Sequence, residues 1–189
     1  MYVSFSSSRF SFQWVGPVLE RQIQSARKSL VANGGSHVYL LWKSLLNKWF
    51  AEGRMVYIVS PQLDKKRMVD IANLLLENKN TAELHTIQTT RRCDGQQTLL
   101  QIKEATLHEY TPRKQLMIEY RVFAKLRYQC KPFGCNFIAG VLGSQAEVLL
   151  TSASFHDSSF GYDSSMESAT FTVMTNKRFD RQFMSKLGD

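Results

Sequence analysis

The 189-residue chain has few cysteines, few prolines and no long apolar run, and each shortage excludes a class of protein. Cys93, Cys130 and Cys135 give an odd count without the CxxC spacing of a zinc or redox site, which predicts free thiols in an intracellular compartment, cytoplasmic or nuclear. No apolar run reaches the roughly 18 residues that a membrane-spanning helix needs. Residues 1–12 lack the hydrophobic stretch of a signal peptide. We therefore expect no transmembrane segment, disulfide scaffold, metal site or cofactor.

Strand and helix signals alternate in the first half of the chain. Apolar patterns typical of strands lie at residues 2–5, 37–41, 54–60 and 82–89. Apolar residues at helical spacing lie at residues 15–30, 43–52 and 66–78. Strands separated by helices of this length indicate βαβ units and a largely parallel arrangement.

The second half of the chain predicts mostly strands. Their signals lie at residues 105–110, 116–128, 136–142, 147–150 and 169–173, before a closing helix at residues 177–187. The polar residues 91–97 predict a loop between the two halves. The whole pattern predicts one α/β domain over residues 1–189, with a mixed sheet of about seven strands flanked by helices.

The net charge is +8, and the excess of positive charge is concentrated in one segment. Residues 91–131 hold nine Lys or Arg and four Asp or Glu, which gives +5. If residues 116–128 form a strand, Arg121, Phe123, Lys125 and Arg127 share one face. That face predicts contact with phosphates and stacking on a base, as in a nucleic-acid-binding domain. The basic excess as such also favours an anionic lipid or an acidic protein surface. The alternative is an edge strand whose charges prevent aggregation.

A second candidate site is the segment AEVLLTSASF, which reads as a buried strand ending in Thr151, Ser152 and Ser154. Short hydroxyl side chains at a strand end leave room for an anion. The alternative interpretation is a Ser-rich turn that closes a hairpin.

The order of these segments resembles one half of the phospholipase D superfamily. The resemblance runs from VSF and PVLERQIQSARKSL, through KSLLNKWFAEGRMVYIVS, to EVLLTSASF and the acidic strand ESATFTVMT. Active members carry His-x-Lys, then Asp, then Gly-Ser-x-Asn. The resemblance implies that the His is a nucleophile attacking phosphorus, while Lys and Asn hold the phosphate oxygens. It also implies that a chain with one copy of the motif forms a homodimer.

The chain departs from this motif, and two registers are open. In the first, Phe123 and Lys125 occupy the His and Lys places. In the second, Phe137 and Ala139 occupy them, and Ser144 takes the Asp place. Both registers put phenylalanine, which has no lone pair for phosphorus, at the nucleophile place. The resemblance therefore predicts a pseudoenzyme.

The remaining motif positions fall on hydroxyl and acidic residues. Thr151-Ser152-Ala153-Ser154 replaces Gly-Ser-x-Asn, and Glu167 fits the acidic residue that often follows. His156 is the histidine nearest in sequence and is the candidate for a displaced catalytic residue.

Three functions follow from these observations. The first is a non-catalytic, homodimeric binding or scaffold module for an unidentified protein or anionic partner. The second is a phosphodiesterase, a nuclease or a phospholipase, that uses His156 and Lys125. The third is a nucleic-acid-binding domain that uses residues 91–131. The binding residues predicted across these functions are Lys125, Ser152, Ser154, Glu167, Arg121 and Arg127. For the homodimer, we expect a contact patch at residues 151–160, with apolar area from Phe155, Phe160 and Tyr162.

Overall fold

A computed structural model describes residues 31–78, 82–89, 95–130, 136–160 and 167–187, with residues 31–33 described by their backbone alone. The expectations for the strand at residues 2–5, the helix at residues 15–30, Cys93, Cys135 and Tyr162 lie outside the described residues. No helix within the described ranges is both long and apolar enough to cross a membrane.

The first part of the described chain alternates strands and helices. Its elements are β1 (Val31–Asn33), α1 (Gly35–Ala51), β2 (Met55–Ser60), α2 (Lys65–Glu77), β3 (Glu83–Thr89), α3 (Gly95–Leu107) and α4 (Pro112–Ile118). A π-helical turn, Glu119–Phe123, continues α4, and we call residues 112–123 together the α4 segment.

The second part is rich in antiparallel strands. Its elements are β4 (Leu126–Gln129), β5 (Asn136–Leu142), β6 (Gln145–Thr151), α5 (Asp157–Phe160) and β7 (Ser168–Thr175). The closing helix comprises α6 (Asn176–Phe179), a π-helical turn (Asp180–Met184) and α7 (Ser185–Leu187).

All the described strands belong to one mixed sheet in the order β1-β7-β6-β5-β2-β3-β4. It has seven strands when the three-residue edge strand β1 is counted. The pairs β2–β3 and β3–β4 are parallel, and the other neighbouring pairs are antiparallel. The predicted α/β class, with a mixed sheet flanked by helices, is confirmed.

Two apolar layers cover the sheet. On one face, α1 buries Trp42, Trp49 and Phe50, and α2 and α3 pack into the same cluster. On the other face, Phe179 and Phe183 of the closing helix pack on Phe137 of β5. In α/β sheets ligands bind beyond the ends of the strands, so a site is expected at one end of this sheet.

The strand predicted at residues 37–41 is wrong, because these residues belong to α1. Val38, Leu41, Trp42 and Leu45 recur at helical spacing, and all are at most 5% exposed. The helical stripe that buries two tryptophans therefore prevails over the β propensity of a short apolar run.

The strands predicted at residues 105–110 and 116–128 are also wrong. Residues 95–107 and 112–123 are helical, and only Leu126–Gln129 form a strand. The predicted loop at residues 91–97 is wrong from Gly95 onward, where α3 begins. Ile118, Val122 and Phe123 of the α4 segment are buried in the core. Their packing as a helix on α2 and β3 therefore outweighs the apolar–polar alternation of residues 118–128, which is typical of a strand.

Candidate functional site

The candidate site lies at the end of the sheet where β2 and β6 end and β5 and β7 begin. We call this the site end of the sheet. The register aligns Val59 with Phe137 and Thr151 with both Asn136 and Ala169. Antiparallel pairing therefore places the residues after β6 beside the residues before β7.

Ser152 and Glu167 meet at the site end. The Ser152 hydroxyl donates to Oε2 of Glu167 and accepts from the backbone N–H of Ser168 at 2.9 Å. Glu167 is only 8% exposed. A buried carboxylate thus lies beside the Ser152 hydroxyl, and its negative charge favours a neutral or cationic ligand group over an anion.

Ser154 lies in the same surface but turns toward the loop after β2. Its hydroxyl donates to Oε1 of Gln62 at 3.2 Å and shares a hydrogen bond with the Ser159 hydroxyl at 3.1 Å. Gln62 was not predicted as a site residue. Its position just after β2 was the available signal, because ligands bind where the strands of α/β sheets end.

Two loops at the site end are fastened to each other. Ser60 Oγ accepts from the backbone N–H of Phe155 at 3.0 Å. Asp64 accepts from the backbone N–H of Arg67 at 2.7 Å, capping α2, and from that of Asp157 at 2.5 Å. Hydrogen bonds from the loop after β2 therefore hold the Ser-rich loop after β6 in place, so this loop is not an independent turn that closes a hairpin.

His156 belongs to this loop but does not approach the Ser152–Glu167 pair with a hydrogen bond. Its Nδ1 lies 2.9 Å from the hydroxyl of Ser158, inside its own turn. The neighbouring Asp157 faces the solvent, where the Lys66 ammonium at 2.8 Å lowers the pKa of its carboxyl. The displaced catalytic residue of the phosphodiesterase hypothesis is thus not positioned as a base for Ser152.

Lys125 does not join the site. It precedes β4, four strands across from β6, which is roughly 19 Å at ordinary strand spacing. Its ammonium contacts Glu83 at the start of β3, and this hydrogen bond lowers the pKa of the Glu83 carboxyl. Lys125, which was predicted as a binding residue together with Ser152, therefore does not converge with it, because the sheet order separates the two.

The predicted basic face of a strand is wrong as well. Arg121 and Phe123 lie on a π-helical turn, where Phe123 is buried and Arg121 donates to the Asn78 carbonyl at 3.3 Å. Arg127 lies on β4, paired with Ile87. No aromatic ring on this stripe is thus available for base stacking as the strand hypothesis required.

The structure separates the two motif registers. Phe123 is buried in the helical layer, whereas Phe137 pairs with Leu150, two residues before Ser152. Ala139 is fully buried on the same strand, and Ser144 lies exposed in the turn between β5 and β6. The second register brings Phe137 beside the site end, with two apolar side chains in the places of His and Lys, whereas its Ser144 lies at the opposite end of the sheet.

Phe155 and Phe160 do not supply the apolar area that was expected of a dimer contact at residues 151–160. Phe155 is fully buried and its ring lies 4.9 Å from that of Trp42. Phe160 is 7% exposed and packs on the rings of Tyr39 and Trp42. These side chains close the core of the chain itself and leave little apolar area there for a partner.

The backbone N–H groups around Ser152 are already engaged. Those of Ser152, Ala153, Phe155 and Ser168 donate to the Ser168 carbonyl, the Thr151 hydroxyl, the Ser60 hydroxyl and the Ser152 hydroxyl. Stabilising a developing oxyanion requires donors that point at the reacting atoms and are free to do so. These four N–H groups hold the loop together instead.

A shallow groove of about 300 Å³ adjoins the Ser152–Glu167 pair. The residues that line it come from the last residues of β6, the first residues of β7 and the closing helix. They are Leu150, Thr151, Ser152, Ser168, Ala169, Thr170 and Phe183. The groove presents hydroxyls and apolar groups, and no Lys or Arg belongs to this lining. We call this lining, with Ser154 and Glu167, the Ser152 surface.

These observations define the class of protein. It is an α/β chain with a mixed sheet and with a hydroxyl–carboxylate surface at its strand ends. No protein-family model matches the sequence, and no curated protein sequence matches it either. The backbone is similar to those of solved structures of low sequence identity, three of which illustrate the likeness. A phospholipase D family member, Nuc from Salmonella typhimurium, is 13% identical, with 85% of this chain and 92% of that chain covered, at a TM-score of 0.47.

The two other structures are longer than this chain. Polyphosphate kinase from Porphyromonas gingivalis is 9% identical, with 81% of this chain and 26% of that chain covered, at a TM-score of 0.47. TrmBL2, an archaeal chromatin protein with a novel mode of DNA binding, is 14% identical, with 90% and 56% covered, also at 0.47. Likenesses at this level assign no activity to this chain.

Proposed function

We propose that the chain is a non-catalytic binding module that uses the Ser152 surface. The observation that carries this proposal is the hydrogen bond from the Ser152 hydroxyl to Glu167. It holds a buried carboxylate beside the Ser152 hydroxyl, and a carboxylate repels an anion such as a phosphodiester at short range. The ligand group favoured here is neutral or cationic, such as an amide, a hydroxyl or a basic side chain of a protein partner.

The residues at the family's catalytic positions support the same proposal. A phosphoryl-transfer site needs a nucleophile, a proton donor and cations for the phosphate oxygens. Under the register that reaches the site end, Phe137 and Ala139 supply none of these. Within the described ranges, His156 and Lys125 are held by Ser158 and Glu83.

We expect no turnover of a generic phosphodiester. Bis-p-nitrophenyl phosphate incubated with the purified chain should release p-nitrophenol at the rate of buffer alone, because Ser152 lacks a positioned histidine and an oxyanion site. The matched variants are His156→Ala and Ser152→Ala, assayed beside the unaltered chain. Turnover that disappears in either variant would assign the protein to the phosphodiesterases and reverse the proposal.

We further propose that the module is a homodimer, as the resemblance to a half-motif chain implies. The groove beside Ser152 supports this, because a twofold dimer uses the same patch on both copies and the groove is shallow and open. With Phe155 and Phe160 buried, the contact would rest on the Ser152 surface alone.

Ser154→Asp should weaken the dimer, because the substitution sets two carboxylates near each other across the twofold axis. Light scattering over micromolar concentrations measures the association. Ser144→Asp is the control, since it makes the same change in the exposed turn at the opposite end of the sheet. A monomer at every concentration, or equal weakening by both variants, would exclude a dimer through this surface.

A further inference from the structure

The α4 segment exposes apolar side chains that its packing on the core does not explain. Leu116, Met117 and Tyr120 are 71%, 44% and 80% exposed, whereas Ile118 and Val122 of the same segment are fully buried. A surface helix of a globular protein ordinarily has one apolar stripe and a polar face opposite to it. Here the second face is apolar too.

Two basic side chains lie at the N-terminal end of this exposed face. Arg113 and Lys114 are exposed at the second and third residues of α4, one turn before Leu116 and Met117. Residues three and four apart are neighbours on a helix, so Arg113, Leu116 and Tyr120 form one stripe. Arg113 and Lys114 have no ion-pair partner among the residues that the structure describes.

The carboxylates on either side of the pair in sequence are already engaged. Glu109, four residues before Arg113, pairs with Lys65 of α2. Glu119, which lies between Leu116 and Tyr120 along the chain, accepts from the Lys103 ammonium at 2.5 Å. Its charge is thereby balanced by α3 and does not neutralise the pair at the start of α4. The face formed by Arg113, Lys114, Leu116, Met117 and Tyr120, which we call the α4 surface, thus combines exposed apolar area with uncompensated positive charge.

We propose that the α4 surface binds the surface of an anionic lipid bilayer. A helix with aliphatic and aromatic side chains beside basic ones lies in the interface between headgroups and acyl chains. Tyrosine favours this depth because its ring is apolar and its hydroxyl stays hydrated. Arg113 and Lys114 would meet lipid phosphates and carboxylates. This site is separate from the Ser152 surface and does not depend on the function proposed for it.

The observations favour a bilayer over two other occupants. RNA would use the cations and the Tyr120 ring but leave the exposed Leu116 and Met117 without a partner. A second copy of the chain, bound through the same face, would bring two Arg113–Lys114 pairs together, and like charges repel. A bilayer with anionic headgroups complements both the charge and the apolar projections.

Sedimentation with lipid vesicles tests this proposal. We expect the chain to bind vesicles of phosphatidylcholine with phosphatidylserine and not those of phosphatidylcholine alone. Replacing Leu116 and Tyr120 together by serine should weaken binding by about tenfold or more, because each loses apolar area that enters the interface. Leu142→Ser is the matched control, since Leu142 is 50% exposed on β5, away from α4, and should change nothing.

The contribution of Arg113 and Lys114 is tested by a double variant with a matched control. Arg113→Gln with Lys114→Gln should weaken binding and reduce its salt dependence. Lys177→Gln with Arg178→Gln removes the same charge at the second and third residues of α6, where both side chains are exposed, and should have little effect. Equal weakening by the two pairs would mean that net charge alone attracts the chain, and would overturn the proposal.

Three further results would also overturn it. They are the absence of binding to anionic vesicles, a self-association that Leu116→Ser abolishes, and RNA binding that competes with vesicles and is unaffected by Leu116→Ser. Unfolding midpoints confirm that each variant is folded. If the double serine variant is not, Tyr120→Ser replaces it, because a side chain that is 80% exposed contributes little to the core.

Discussion

Glu147→Ala is expected to lower the free energy of unfolding by about 3 kcal/mol, because it removes the buried acceptor of the Trp49 indole and leaves Arg54 only the more exposed carboxylate of Glu52. Glu147 and Arg54 are each 8% exposed. Glu147 Oε1 accepts from Arg54 Nη2 at 3.1 Å and from the Lys48 ammonium at 3.1 Å, and Oε2 accepts from the Trp49 indole at 2.7 Å. Urea unfolding followed by fluorescence measures the change.

Glu52→Ala is the matched control for this prediction. Glu52 contacts the same two cations, Arg54 at 2.5 Å and Lys48 at 3.9 Å, but its side chain is 35% exposed. Exposed ion pairs contribute about 0–1 kcal/mol, since water solvates either partner when the other is removed. Equal losses in the two variants would contradict the claim that burial of Glu147 sets its importance.

Gly140→Ala is expected to cost about 1–3 kcal/mol through overpacking. An ideal Cβ at Gly140 would lie 2.7 Å from Cε2 of Trp49 and closer still to Cγ and Cδ2 of the same ring. Carbon atoms make favourable contacts only at about 3.5–4.0 Å. Trp49 cannot easily retreat, because it is fully buried and its indole N–H is bound to Glu147.

A double-mutant cycle tests the Gly140–Trp49 contact directly. Trp49→Phe should remove part of the clash, so Gly140→Ala should cost less in that background than in the unaltered chain, by about 0.5 kcal/mol or more. Urea unfolding of the four proteins gives the coupling. Strict additivity would mean that the methyl group is accommodated elsewhere and that the indole ring does not exclude it.

Elements with one clear periodicity were predictable from the sequence. The strands β2, β3, β5, β6 and β7 are runs rich in apolar and β-branched residues, bounded by polar or glycine residues. The helix α2 was equally readable, with Asp64 before it as the cap. These signals are local, because neighbouring residues alone carry them.

Ambiguous segments were decided by packing. Residues 116–128 alternate as a strand does, yet Ile118, Val122 and Phe123 also fit a helix that covers the core. The same applies to residues 37–41, where Trp42 and Leu45 extend the helical stripe beyond the apparent strand. A local pattern that fits two periods leaves the choice to contacts distant in sequence.

The sequence by itself determined the α/β class and the hydroxyl-rich end of β6. Only the tertiary structure decided which candidate residues meet. Ser152 and Glu167 come together because β6 and β7 are antiparallel neighbours in register, whereas Lys125 is separated from both by the strand order. Strand order and register arise from long-range burial of side chains, and the spacing of residues along the chain does not encode them locally.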